Sequence, residues 1–155
     1  MISFLGTSTH TLDEKGRLIV PKRFMDEIPP KDAKFTITAS LDGCLLLLDQ
    51  ASWEEAVAQF SRDVFVDSAT RAVRRVFLGH ADVVEPDRNN RVLINESLRA
   101  FAGLQPNAEV VLVGAGKSIE IWHPQQWGGA LTQARQLHEF FDTPIGRSAE
   151  TPAAS

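Results

Sequence analysis

The sequence predicts an α+β protein made of two tandem repeats that share one core, and three observations predict it. The stretch Asp13-Glu14-Lys15-Gly16-Arg17-Leu18-Ile19-Val20 returns as Asp87-Arg88-Asn89-Asn90-Arg91-Val92-Leu93-Ile94, displaced by 74 positions (17 to 91). The same displacement, without a gap, carries Trp53 onto Trp127, Thr36-Ile37-Thr38 onto Val110-Val111-Leu112, and Leu45 and Leu47 onto Ile119 and Ile121. Each copy reads in the order strand, strand, short helix, strand, strand, helix, from the switch between period-2 and helical spacing of its apolar residues. A unit of about 50 residues forms only a marginal core by itself, so the two copies are expected to pack as one pseudo-symmetric body.

The first element is a hairpin. Thr9 to Leu12 approaches in extended form, Asp13 to Gly16 turn, and Arg17 to Val20 return as a strand. Asp opens a turn because its carboxylate accepts backbone N–H bonds, and Gly16 closes it because it has no Cβ to clash at positive φ. Pro21 stops the strand and opens a helix, Lys22 to Ile28. Phe35 to Ala39 alternates as a strand, Leu41-Asp42-Gly43 turn, and the apolar run Cys44 to Leu48 reads as a strand buried on both faces. Ser52 and Glu55 have capping-box spacing, and Trp53, Ala56, Val57 and Phe60 give the helix that follows an apolar side.

Ser68 is placed to cap a connecting helix that runs to about Leu78 with Ala69, Ala72, Val73 and Val76 inward. Its Arg71, Arg74 and Arg75 fall on the other side. They could meet phosphate or a neighbouring subunit, although a solvated face is the commoner outcome. In the second copy Asp82-Val83-Val84 leads into the turn at Asp87. Asn90 stands for Gly16, being the side chain most at ease with positive φ, and Asn95 caps a helix Glu96 to Ala102 that Gly103 ends. Ala108 to Val113, a tight turn Gly114-Ala115-Gly116 and the strand Ser118 to Trp122 follow. Pro124 opens a final helix with Ala130, Ala134, Leu137 and Phe141 as its stripe. The resulting division is 7–54 for the first repeat, 55–80 for a helical connection, 81–128 for the second repeat, 129–142 for a C-terminal helix and 143–155 for a disordered tail.

The 155 residues are 43% hydrophobic and carry a formal charge of −4, which argues against coating nucleic acid through a generally basic surface. It leaves open recognition by a few clustered cations. Cys44 is the only cysteine, so neither an internal disulfide nor a cysteine zinc site can form. No apolar run reaches membrane-spanning length. His10, His80, His123 and His138 are scattered without metal-binding spacing, and no nucleophile elbow, P-loop or dinucleotide fingerprint occurs. An enzyme, a metal, a cofactor, a membrane partner and a small-molecule ligand are therefore not expected.

What remains are the two turns. Each presents an arginine, Arg17 or Arg91, with Lys15 or Arg88 beside it. The guanidinium fork suits guanine edges and phosphate, and a β-ribbon can enter the major groove. The arginines could equally serve only to pair with Asp13 and Asp87, and spacing alone does not separate these readings.

The stretch His10-Thr11-Leu12-Asp13-Glu14-Lys15-Gly16-Arg17-Leu18-Ile19-Val20-Pro21 closely resembles the first motif of the MraZ family, whose members carry two tandem SpoVT-AbrB domains. So do Asp42-Gly43-Cys44-Leu45, Trp53, Arg75-x-Phe77-x-Gly79-His80-Ala81, the second motif, Val113-Gly114 and Ile119-Glu120-Ile121-Trp122. Asn90 and Asn95 depart from the Gly and Pro usual there. The resemblance implies a pseudo-dimeric swapped-hairpin β-barrel with peripheral helices, ring-shaped homo-oligomers and a cytoplasmic, nucleoid-associated regulator. Such a protein binds repeated boxes upstream of the division and cell-wall genes, usually as a repressor. It points to Lys15, Arg17, Arg88 and Arg91 as DNA-binding residues, with Asp13, Gly16, Asp87 and Asn90 orienting the turns. The other reading is a ring-forming protein-interaction module that does not touch DNA.

Overall fold

The computed structural model describes residues 2–137. Eight strands and five helices run in the order β1 (Phe4–Thr11), β2 (Arg17–Ile19), α1 (Lys22–Met25), β3 (Phe35–Ala39), β4 (Leu45–Asp49), α2 (Gln50–Phe60), α3 (Ser68–Phe77), β5 (Asp82–Val84), β6 (Arg91–Leu93), α4 (Glu96–Ala102), β7 (Glu109–Gly116), β8 (Ile119–Trp122) and α5 (Pro124–Gln136). Six strands form one open antiparallel sheet in the order β1-β7-β8-β4-β3-β5, and β2 pairs with β6 in a separate ribbon. Residues up to Pro124 form one compact unit. The following unit contains nearly all of α5, in which Thr132 Oγ1 donates to the Gly128 carbonyl at 3.0 Å.

The pairing overturns the expected hairpin. β2 does not return along β1. Instead β1 lies on β7, β5 on β3, β2 on β6 and β4 on β8, and each of these contacts joins one repeat to the other. Only β3–β4 and β7–β8 are hairpins within a repeat. Three-residue strands such as β2 and β6 cannot bury a face alone. They do so together, with Leu18 opposite Val92 and both fully buried.

The ungapped repeat also needs one correction. Ile37 pairs with Leu47 and Asp82, whereas the residue that pairs with the equivalents of those two, Ile121 and Ser8, is Leu112. Leu112, not Val111, therefore takes the place of Ile37. The second repeat holds one extra residue before β7 and one fewer in the turn after it. β2, β4 and their partners keep the original displacement.

With that register, symmetry-related side chains fill a single core: Leu18 with Val92, Val20 with Ile94, Phe24 with Leu98, Ile37 with Leu112, Leu45 with Ile119 and Leu47 with Ile121. Phe4 adds an edge-to-face ring contact with Phe24, centroids 5.6 Å apart. Gly114 is not in a turn but lies in β7 opposite Gly6. A Cβ there would sit 2.5 Å from the Leu5 nitrogen, so the two backbones can approach only because the residue is glycine. The turn falls at Gly116–Ser118, closed by Ala115 N–H donating to the Ser118 carbonyl at 2.9 Å.

Several helix ends also differ from expectation. α1 is one turn long, and turns rather than helix continue to Ile28, because the residue before Pro29 is steered out of helical conformation. α2 starts at Gln50 directly from β4, so Ser52 lies inside it and Asp49 holds the N-cap position. Asp67, not Ser68, caps α3, accepting from Thr70 N at 2.7 Å. The packed side of α3 runs through Thr70, Val73, Val76 and Phe77, with Arg74 half-buried beside them and Ala69 and Ala72 exposed. Phe77 meets the rings of Trp53 and Phe60, and its carbonyl accepts from the buried Thr38 hydroxyl. Leu137 is exposed, and Phe141 and the expected tail lie outside the described residues.

Leu18→Ala should lower the unfolding free energy by about 2–5 kcal/mol, because it leaves a cavity under the ribbon. Ile19→Ala, one residue along on the exposed face, should change it by less than about 0.5 kcal/mol. Urea denaturation followed by circular dichroism measures both.

Candidate nucleic-acid interface

The two turns are built alike from backbone outward. Asp13 N–H donates to the Arg17 carbonyl and Gly16 N–H to the Asp13 carbonyl, both at 3.0 Å; Asp87, Arg91 and Asn90 repeat these bonds at the same lengths. In the first turn Asp13 Oδ1 accepts from Lys15 N at 2.9 Å and Arg17 N at 2.8 Å. In the second Asp87 Oδ1 accepts from Asn89 N at 2.8 Å and Arg91 N at 3.0 Å. The last residue of each turn has positive φ, 80° at Gly16 and 59° at Asn90.

The second carboxylate oxygen holds the arginine. Arg17 Nε donates to Asp13 Oδ2 at 2.6 Å, and Arg91 Nε to Asp87 Oδ2 at 2.8 Å. Because only Nε enters the pair, the four Nη–H donors of each guanidinium remain outside it. The backbone N–H of Arg17 is the leading cause that holds the Asp13 carboxyl below the usual carboxylate range. Arg91 does the same for Asp87. Each aspartate therefore stays charged and keeps its arginine aimed.

The ribbon brings the two arginines to one surface. Strand alternation places Leu18 and Val92 inward and Arg17, Ile19, Arg91 and Leu93 outward. Arg17 stands opposite Leu93, and Arg91 opposite Ile19, so the arginines are diagonal neighbours with Cα atoms about 8 Å apart by strand geometry. Lys15 and Arg88 lie on the two turns, at opposite ends of the ribbon, and both are exposed. Glu14 stands beside Lys15, whereas its counterpart is Arg88 itself, so the second turn carries the greater positive charge.

Each turn is also tied to the other repeat. Ile94 N–H donates to the Gly16 carbonyl at 3.1 Å, and Val20 N–H to the Asn90 carbonyl at 2.8 Å. Arg99 lies against Gly16, where a Cβ would come within 2.6 Å of its Nε, and that Nε donates to the Ile94 carbonyl at 3.0 Å. Sequence reasoning did not single out Arg99. Its repeat counterpart is Met25, as Asn90 is the counterpart of Gly16, so the pairs Gly16/Arg99 and Asn90/Met25 are the signal that could have found it.

Two of the connecting arginines are engaged within their own segment. Arg71 Nη1 donates to the Val66 carbonyl and Arg74 Nη2 to the Asp63 carbonyl, which fastens the loop before α3. Cys44 is buried, which pushes its thiol up to about 12. Among the described residues no three His, Cys, Asp or Glu gather closely enough to hold a metal ion, and no helix is long and apolar enough to cross a membrane.

Comparison with known proteins finds one family model twice along the chain, at residues 3–76 and 77–144, described as "MraZ protein, putative antitoxin-like". Curated relatives include proteins named "Transcriptional regulator MraZ". That of Thermomicrobium roseum is 39% identical over 124 residues, 80% of this chain and 84% of the relative. That of Carboxydothermus hydrogenoformans is 35% identical over 136 residues, 88% and 92% of the two chains. That of Moorella thermoacetica is 39% identical over 124 residues, 80% and 83%.

Two predictions test this geometry. Gly16→Asn should cost about 1–2 kcal/mol through its side chain's collision with Arg99, and should cost less in an Arg99→Met background, since residues in contact couple; thermal unfolding of the four proteins measures the coupling. The aspartates give a pH dependence whose sign follows from lowered folded pKa values. Their contribution is fully present above the ordinary aspartate range and is lost as pH falls through the depressed values. Carboxyl chemical shifts should show Asp13 and Asp87 both titrating below the usual aspartate range.

Proposed function

The chain belongs to the MraZ family, and on that premise we propose that it is a sequence-specific DNA-binding transcriptional regulator whose reading surface is the β2–β6 ribbon. One observation carries this reading: two arginines related by pseudo-symmetry stand on the same face, each held through Nε alone, so that its Nη donors stay outside the ion pair. A two-stranded ribbon fits the major groove, and an arginine fork matches O6 and N7 of guanine. Lys15 and Arg88, at the ends of the ribbon, suit the flanking phosphates. Asp13, Gly16, Asp87 and Asn90 keep the arginines pre-organised, which reduces what must be ordered on binding.

Four cations are few for tight binding by an acidic chain. The assembly the family implies, a ring of identical chains, supplies the rest. Linked ribbons meet successive promoter boxes at high effective concentration, so avidity replaces a broad basic surface. In this reading the boxes lie upstream of the division and cell-wall genes, the regulator represses them, and it works in the cytoplasm at the nucleoid. The swapped-hairpin core belongs to the same proposal; the strand exchange between repeats supports it, with the sheet left open and the β2–β6 ribbon as a separate piece. A second reading, a protein-interaction module without DNA, is favoured by Ile19 and Leu93, which are 55% and 50% exposed on the same face.

A fluorescence-anisotropy titration with DNA from upstream of the chain's own gene separates the two. Arg17→Ala or Arg91→Ala should weaken binding by roughly 5- to 150-fold, the worth of a bidentate base contact of about 1–3 kcal/mol. The double variant should lose it, with circular dichroism and oligomer size unchanged. Binding should fall steeply with salt and need more than one box. Unaltered affinity in the double variant rejects the ribbon as the reading surface.

A further inference from the structure

Asp49 ends β4 and stands at the N-cap position of α2. Alternation along the strand puts it on the same face as Leu45 and Leu47, both in the core, so a carboxylate occupies a place built for an apolar side chain. It is only 3% exposed, its Oδ1 has no hydrogen-bond partner, and it makes no side-chain cap to the helix it precedes. Buried polar groups are nearly always partnered, so an unpartnered one marks a place that a water, an ion or a ligand can fill. The β4–β8 register gives His123 as its counterpart, so the second repeat does not duplicate the carboxylate.

Asp49 lines a cleft of about 560 Å³, within the usual size of small-molecule sites. Ile2, Ile28 and Pro29 give the cleft apolar walls, Glu27 and Glu54 add two more carboxylates, and among the described residues no basic side chain lines it. The charge fixes the sign of the ligand as positive. Because no three such groups gather as metal ligands among the described residues, a metal ion is a poor fit and an organic cation a good one. The apolar walls match a methylene stem. Glu54, which accepts from Gln50 Nε2 at 2.8 Å, and Glu27 are exposed, whereas Asp49 is buried, so negative charge lies at two depths.

We propose that this cleft binds a linear alkyl diamine. One ammonium meets the Asp49 carboxylate, the stem lies along Ile28 and Pro29, and the second ammonium rests beside Glu27 and Glu54. The site is independent of the ribbon and of the DNA reading.

Isothermal titration calorimetry of the full chain with 1,4-diaminobutane, butylamine and magnesium chloride tests it. The diamine should bind about tenfold or more tightly than butylamine, and Asp49→Asn should weaken it by at least as much, the loss expected for a hydrogen bond to a charged group. Glu27→Gln with Glu54→Gln, both on the exposed rim and safe for folding, should abolish the preference for diamine over butylamine. The proposal is overturned by no heat at millimolar diamine, by equal affinity in wild type and Asp49→Asn, or by magnesium competing as well as the diamine. A drop in sedimentation mass of Asp49→Asn with no diamine binding to wild type also overturns it, by assigning the cleft to a lysine side chain of a second copy.

Discussion

The ladder between β2 and β6 is the contact on which both turns depend. Neither strand has another partner in the sheet, and each is only three residues long. An isolated ribbon of this size is not stable in water. It persists because Leu18 and Val92 face into a core common to both repeats, and because each turn's last carbonyl accepts a bond from the opposite repeat. The repeats are thus not two beads on a string. Removing either would leave the other with a single strand pairing, β3–β4 or β7–β8.

That dependence bears on function through rigidity. An exposed ion pair contributes little to stability, commonly under about 1 kcal/mol. Asp13 and Asp87 accordingly matter less as stabilisers than as fixed acceptors that choose one rotamer for each arginine. The choice is effective only if the turn itself is held. The ribbon below and the cross-repeat carbonyl bonds hold it, so core packing and side-chain aim are links in one chain of cause.

Much of this was legible in the sequence, and the failures have a common cause. The repeat, its element order, the cap at Asn95 and the stop at Gly103 follow from local chemistry, which residues within a few positions decide. Strand pairing is not local. The motif Asp13 to Val20 has all the marks of a hairpin, and nothing in it states that β2's partner is 74 residues away. The single-residue slip at β7 was hidden for a related reason: an insertion and a deletion cancel by β8, so matches on either side look continuous. Asp49 stayed invisible because a carboxylate at the end of an apolar run reads as the natural end of a strand.

The two turns are symmetric in backbone and unequal in chemistry. Gly16 leaves room for Arg99, whose guanidinium lies against the first turn, while Asn90 has Met25 as the counterpart of Arg99. The departure from glycine at position 90 thus goes together with the absence of an arginine at the equivalent place on α1, and Asn90 reaches the required left-handed conformation at φ 59°. Charge then separates the turns further, since the first holds two carboxylates, Asp13 and Glu14, and the second only Asp87. A surface with identical aimed arginines but different surroundings suits a duplex site whose two halves are not identical. Asymmetry in the ribbon is thus a property the repeats acquired without disturbing the ladder that supports them.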